Sequence, residues 1–290
     1  MELLEYKIEV TGKKRVALPW KETHIIPIAD TQVGSEGFSE GQLREDVSRA
    51  IDFGNSYFVG LGDYIDIMSP SNRMAWRSAR LYDSVHTAMS NEAEDCVGKW
   101  LRIMEPTKGK WLGILEGHHW YDFEDGTTSD TRIAQALGTT FLGTCAFIRL
   151  VFKGTTHTSM LGCTLWVHHG AGNGIMPYSP LTRLSNVMRQ FDADIYIIGH
   201  QSKKPAVPVP YLYMSDKPPY TLIAKNKILA GAGCYSEGYH QGSKDPSGKR
   251  PQGSYVEQRL LNPVAIGGIT VKIIPARTSK TDRLDLRVEI

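Results

Sequence analysis

Cysteine is scarce in this 290-residue chain, and its four copies (Cys96, Cys145, Cys163, Cys234) form no close-spaced pair. That spacing argues against a disulfide framework and a zinc knuckle. Cys145 and Cys163 fall in apolar, strand-like runs, which predicts thiols buried for packing. No apolar stretch approaches the roughly 18 residues that span a bilayer, so no membrane partner is expected. The start, Met1-Glu2-Leu3-Leu4-Glu5, lacks the basic and apolar regions of a secretion signal, and a cytoplasmic location is the expectation. A net charge of +2 is too small to argue for nucleic acid by itself. Lys13-Lys14-Arg15, Lys203-Lys204 and Lys244 to Arg250 are local basic clusters that read as solvated surface before phosphate-binding patches. There is no internal repeat.

What the chain does have is a recurring way of ending its apolar runs. Five of them stop at Asp, Gly or His: Ile25 to Ala29 at Asp30, Tyr57 to Leu61 at Gly62-Asp63, and Trp111 to Leu115 just before Gly117-His118-His119. Leu165-Trp166-Val167 stops at His168-His169-Gly170, and Ile195 to Ile198 at Gly199-His200. Short apolar runs bounded in this way predict core strands of an α/β sheet. Ligands of such sheets bind beyond the carboxyl ends of the strands. Five ends bearing Asp and His therefore predict one polynuclear metal site.

Helices fill the gaps. Ser39-Glu40-Gly41-Gln42 fits a capping box, followed by Leu43, Val47, Ala50 and Ile51 at helical spacing. A second helix is predicted from Ser71-Asn72 towards Ala88, and a third carries Ala93, Val97, Trp100, Leu101 and Met104 as far as Pro106. Asp130 opens a short helix ended by Gly138, and Pro180 to Phe191 reads as another. Residues 145–152 and 159–168 alternate like an antiparallel pair. The Pro- and Tyr-rich residues 203–222 favour edge segments and loops. Residues 236–254, rich in Gly, Ser and Lys, predict a mobile loop, while 266–275 and 284–290 predict closing strands. With motifs spread over residues 30–200 and no linker between them, one domain over 1–290 is expected.

The order of motifs resembles the calcineurin-like metallophosphoesterase superfamily, whose pattern is D-x-H, G-D-x-x-D, G-N-H-[D/E], H-G and G-H-x-H. It stands here as Asp30-Thr31-Gln32, Gly62-Asp63-Tyr64-Ile65-Asp66, Gly117-His118-His119-Trp120, His169-Gly170 and Gly199-His200-Gln201-Ser202. A closer similarity is to uncharacterised phage-type members. The resemblance implies an α/β fold of two packed sheets flanked by helices, the αββα sandwich. It also implies two metal ions bridged by Asp63, with Asp30 and Gln32 on the first and His118, His169 and His200 joining Asp63 on the second. Three imidazoles and a carboxylate suit Mn, Fe, Zn or Ni, with Mn2+ the expected divalent ion. Gln32 and Ser202 stand where the family has histidines. The first site is then harder and weaker, or the enzyme holds a single metal. His168 could turn inward as a substitute, although neighbouring strand residues face opposite ways.

The resemblance further implies phosphoester hydrolysis by a metal-bound hydroxide, with Asp63 bridging and His119 beside the phosphate as proton donor. Trp120 follows His119 where the family has an acid, so the partner that orients His119 is to be sought at Asp66, Asp122 or Glu124. For the substrate, Arg73, Arg77 and Arg80 share one face of the predicted helix, and a start at Asn72 directs its N-terminus towards phosphate. Arg73 is the leading clamp, next to Asn72 at the helix start, and Asn173 lies on a turn past His169. Tyr211, Tyr213, Tyr220, Tyr235 and Tyr239 either stack on bases or, more commonly, pack at strand edges. Phosphodiesters, nucleic acid or nucleotide, are the preferred substrate class. The alternatives are a protein or monoester phosphatase, weakened by Ile67 in place of that group's arginine, and a metal-binding protein without turnover.

Overall fold

Strands buried on both faces need a layer of side chains on each, and the alternation along this chain supplies both. In the computed structural model, which describes residues 13–68, 82–153, 160–172, 174, 176–215, 218, 220–239, 241–245, 247–277 and 282–290, the strands are β1 (Lys13–Pro19), β2 (Thr23–Ile28), β3 (Ser56–Gly60), β4 (Trp111–Ile114), β5 (Cys145–Lys153), β6 (Met160–His168) and β7 (Ile195–Ile198). They continue as β8 (Ala206–Met214), β9 (Leu222–Gly231), β10 (Gly233–Cys234), β11 (Gly267–Gly268), β12 (Thr270–Arg277) and β13 (Asp282–Glu289). The helices are α1 (Glu40–Asp52), α2 (Asp83–Met104), α3 (Ser129–Ala136), α4 (Ser179–Val187) and α5 (Tyr255–Gln258).

One sheet runs β1-β5-β6-β7-β9-β8 and the other β13-β12-β2-β3-β4, with β10 and β11 as a separate pair. Within them β2, β3 and β4 are parallel, as are β6, β7 and β9. Ile25, Val59, Leu165, Ile195 and Ile197 point between the sheets into the central core. The neighbouring Ile26, Ile28 and Phe58 face Leu43, Val47 and Trp100 of α1 and α2. On the far side Trp166, Tyr196 and Ile198 pack with Leu184 of α4. The layers are therefore helix, sheet, sheet, helix, the sandwich that the motif order implied.

Several local expectations change. Ser39 precedes α1 but makes no side-chain cap; the capping box is built instead at Thr128, whose hydroxyl accepts from the Thr131 amide while Thr131 Oγ1 accepts from the Thr128 amide. The break expected between Ala88 and Ala93 is absent: α2 runs unbroken from Asp83 with Ala93, Val97, Trp100 and Met104 on its buried face. The predicted start at Asn72, with Arg73, Arg77 and Arg80, lies outside the described residues. Helix α4 stops at Val187, short of Phe191. The Asp245 carboxylate accepts from Ser247 Oγ at 2.7 Å and from the amides of Lys249 and Arg250. Antiparallel β5 and β6, the edge strand β8 and the closing pair β12 and β13 form as expected.

The helix layer also props the loops at the strand ends. Trp100 is fully buried, and its Nε1 donates to Thr31 Oγ1 at 3.1 Å, while Thr31 Oγ1 donates to the Tyr64 carbonyl at 2.8 Å. Trp100→Ala is expected to cost about 3–5 kcal/mol in urea unfolding. Among the described residues no helix is long and apolar enough to cross a membrane.

Candidate metal centre

All five predicted strand ends meet at one place. Asp30, Asp63 and His118 arrive from the C-terminal ends of β2, β3 and β4, and His169 and His200 from β6 and β7 of the opposite sheet. The loops after β2 and β3 are zipped together: the Asp30 amide donates to the Gly62 carbonyl at 3.1 Å and the Gln32 amide to the Asp63 carbonyl at 3.0 Å. Cross-sheet bonds complete the junction. His169 Nδ1 bonds the Leu61 carbonyl at 2.6 Å, and the His200 amide donates to Asp30 Oδ2 at 2.8 Å.

Backbone strain concentrates at the same spot. Six described non-glycine residues have positive φ, and five of them are Asp30 (51°), Gln32 (49°), Asp63 (56°), His200 (64°) and Ser202 (48°). Such conformations are costly for residues with a Cβ and persist where surrounding structure enforces them, commonly at functional sites. Glycine is required beside them: a Cβ on Gly117 would collide with the amide nitrogen and Oδ1 of Asp63.

Asp63, His118, His169 and His200 each offer a ligand atom, and these atoms all lie within 4.8 Å of one another. The donor set fits a divalent transition metal on its own geometry. His169 spends Nδ1 on the Leu61 carbonyl, which leaves Nε2 buried, without a hydrogen bond, 3.3 Å from Asp63 Oδ2. A histidine ligand anchored through its other nitrogen to a carbonyl is the usual support for a metal. His118 Nδ1 and His200 Nδ1 face each other at 3.1 Å. Asp63 and His169 form a buried floor, whereas His118 and His200 are half-buried at the rim.

Charge follows from this packing. Burial raises the Asp63 pKa, but His169 and the charge and amide of His119 outweigh it and hold the carboxyl well below the usual range. Burial and the Asp63 charge push Asp30 up. Burial, with His169 and His118 nearby, pulls His200 down to about 4, so its ring is neutral and able to ligate. Burial also works against a proton on His169, yet Asp63 raises it to about 9; a bound cation would displace that proton.

Of the other predicted residues, Asp30 is 2% exposed and lies beside the four-residue cluster rather than in it. Gln32 is half-buried in the same loop. His168 does not turn inward: its Nδ1 accepts from the Gly170 amide at 2.7 Å and its ring stacks on Trp166. His119 is oriented by Asp66, its Nδ1 2.9 Å from Asp66 Oδ1, which settles the choice among the three acids. Burial lowers the His119 pKa, but the bond to Asp66 and the charge of Asp63 outweigh it and raise it above the ordinary value. Asn173 lies outside the described residues. Lys203 and Lys204 are committed inward, to the carbonyls of Gly174 and Ile266. The tyrosines divide: Tyr235 is buried with its hydroxyl on Asp46, whereas Tyr211, Tyr213, Tyr220 and Tyr239 are exposed.

No protein-family model matches the sequence, and no curated protein does. Solved structures do. Vacuolar protein sorting 29 from Cryptosporidium parvum is 12% identical, covering 93% of this chain and 98% of its own, with a TM-score of 0.36. Vps29 complexed with zinc from Entamoeba histolytica is 10% identical over 92% and 98%, with a TM-score of 0.37. The calcineurin-like phosphoesterase YfkN from Bacillus subtilis is 10% identical over 93% and 90%, with a TM-score of 0.34. The likeness is distant.

One buried carboxylate escaped the sequence reading. Asp130 is 1% exposed, and burial pushes its pKa up to about 7. The folded protein thus holds this proton more tightly than the unfolded chain, whose aspartate titrates near 3.8. The stability it contributes is present below that value and is lost as pH rises to about 7. Urea midpoints of wild type and Asp130→Asn, compared at pH 5 and pH 8, should show a smaller fall for the variant.

Proposed function

We propose that this chain is a metal-dependent phosphoesterase, with phosphodiesters of nucleic acid or nucleotides as its substrates. The observation that carries the reading is the convergence of Asp63, His118, His169 and His200 within 4.8 Å, flanked by the His119–Asp66 pair. Those four residues would hold a divalent transition metal, Mn2+ in this reading, although three imidazoles and a carboxylate equally suit Fe, Zn or Ni. Bound there, it would supply positive charge to polarise a phosphoryl oxygen and acidify a water.

The chain's own groups do the rest. Asp63 Oδ1 accepts from the amides of His118 and His119 at 2.5 and 2.9 Å, fixing the carboxylate and the turn together. His119 is 21% exposed at the rim, where its ring can reach a substrate. With Nδ1 held by Asp66, its other nitrogen is free to donate a proton to the leaving oxygen. The preference for diesters draws on Arg73, Arg77 and Arg80, whose spacing suits an extended phosphate backbone.

A second reading, metal binding without turnover, draws on Gln32 and Ser202 standing where imidazoles are expected. The experiment that separates the two is hydrolysis of bis-(p-nitrophenyl) phosphate by metal-stripped protein titrated with Mn2+. Metal-dependent turnover, faster than on p-nitrophenyl phosphate, is expected. Mn2+ binding with no turnover on either ester would favour the second reading.

A further inference from the structure

We infer that Asp130 is a positioning residue of the metal centre: its buried carboxylate sets the turn that carries His118 and His119. This rests on the metal-centre reading above. Asp130 sits at the start of α3, remote in sequence from the histidines, yet its Oδ2 accepts from the Gly117 amide at 3.0 Å. Its Oδ1 accepts from Ser129 Oγ at 3.0 Å. Ser129 in turn holds the other end of the same segment: its hydroxyl accepts from the Tyr121 amide at 3.1 Å, and its own amide donates to the Tyr121 carbonyl at 2.9 Å.

The segment from Gly117 to Tyr121 is therefore fixed at both ends by the first two residues of one helix. Between those ends, the amides of His118 and His119 point at Asp63 Oδ1. Two carboxylates thus share the three successive amides that open the turn, Asp130 taking the first and Asp63 the next two. A helix cap does not explain Asp130, because Thr128 and Thr131 already close the capping box of α3. Nor does an ion pair, since none involving Asp130 is found among the described residues. A carboxylate buried without a cation is costly, and the bond that it makes here leads directly to two site histidines.

The test is amide hydrogen exchange on the metal-free protein, joined to Mn2+ binding by equilibrium dialysis. In wild type the Gly117 amide should exchange slowly although it lies outside any strand; free exchange there would overturn the proposal without any variant. Asp130→Ala should deprotect Gly117, His118 and His119 while β3 and β7 stay protected, and should weaken Mn2+ binding roughly 10–100-fold. Asp130→Asn, whose carbonyl can still accept from Gly117, should restore both. A folded Asp130→Ala that keeps the turn protected, or an Asp130→Asn that recovers nothing, would overturn the proposal. Lost protection with no Mn2+ binding even in wild type would support the positioning and sink the metal-centre reading instead.

Discussion

Asp63→Asn is expected to leave the fold standing and to cut Mn2+-dependent phosphodiester turnover by about 10³-fold or more. The asparagine carbonyl can replace Oδ1 as acceptor for the amides of His118 and His119, so the turn survives. The other prong fails. Its amide would face His169 Nε2, now 3.3 Å from Oδ2, and donate into the lone pair that a metal needs. The substitution also removes the one carboxylate from the four-residue cluster. Circular dichroism and steady-state kinetics together check the expectation. A variant that keeps full turnover would show that Asp63 has been given the wrong role.

His119→Ala should lower turnover by about 10²–10⁴-fold on a dinucleotide, whose alkoxide leaving group needs a proton. On bis-(p-nitrophenyl) phosphate the loss should be much smaller, because a stable phenolate departs without one. Mn2+ affinity should hold, since His119 lies outside the cluster. Asp66→Asn should show the same leaving-group dependence more weakly, because Asp66 acts only through the ring that it orients at 2.9 Å. Equal losses on both substrates would remove His119 from the proton-donor role.

The strands were legible because both of their faces are buried. Ile25 and Ile26 face opposite cores, as do Tyr196 and Ile197, so each strand reads as an unbroken apolar run. The convergence of strand ends was legible because an Asp or His lies at or just beyond the end of each run. Helix boundaries were harder. Ser39 and Thr128 are both favourable cap types, but only Thr128 takes the extended backbone of a cap residue, and it forms the box. Ser90 and Asn91 are weak helix formers, overridden by the apolar face that Trp100 and its neighbours bury. Asp66, Asp122 and Glu124 could not be ranked by spacing, because the answer depends on how the loops after β3 and β4 fold against each other. Asp130 gave no signal of its own, since an acid in the first turn of a helix is ordinary.

The most direct measurement is equilibrium dialysis of Mn2+ against metal-stripped wild type and His169→Ala. His169 Nε2 is buried with no hydrogen bond, 3.3 Å from Asp63 Oδ2, and removing its ring leaves the rim residues in place. Wild type is expected to bind at least one ion per chain, and His169→Ala to bind about 100-fold more weakly or worse. Wild type that binds no Mn2+, or a variant that binds it equally well, would contradict a Mn2+ centre at this junction of the two sheets.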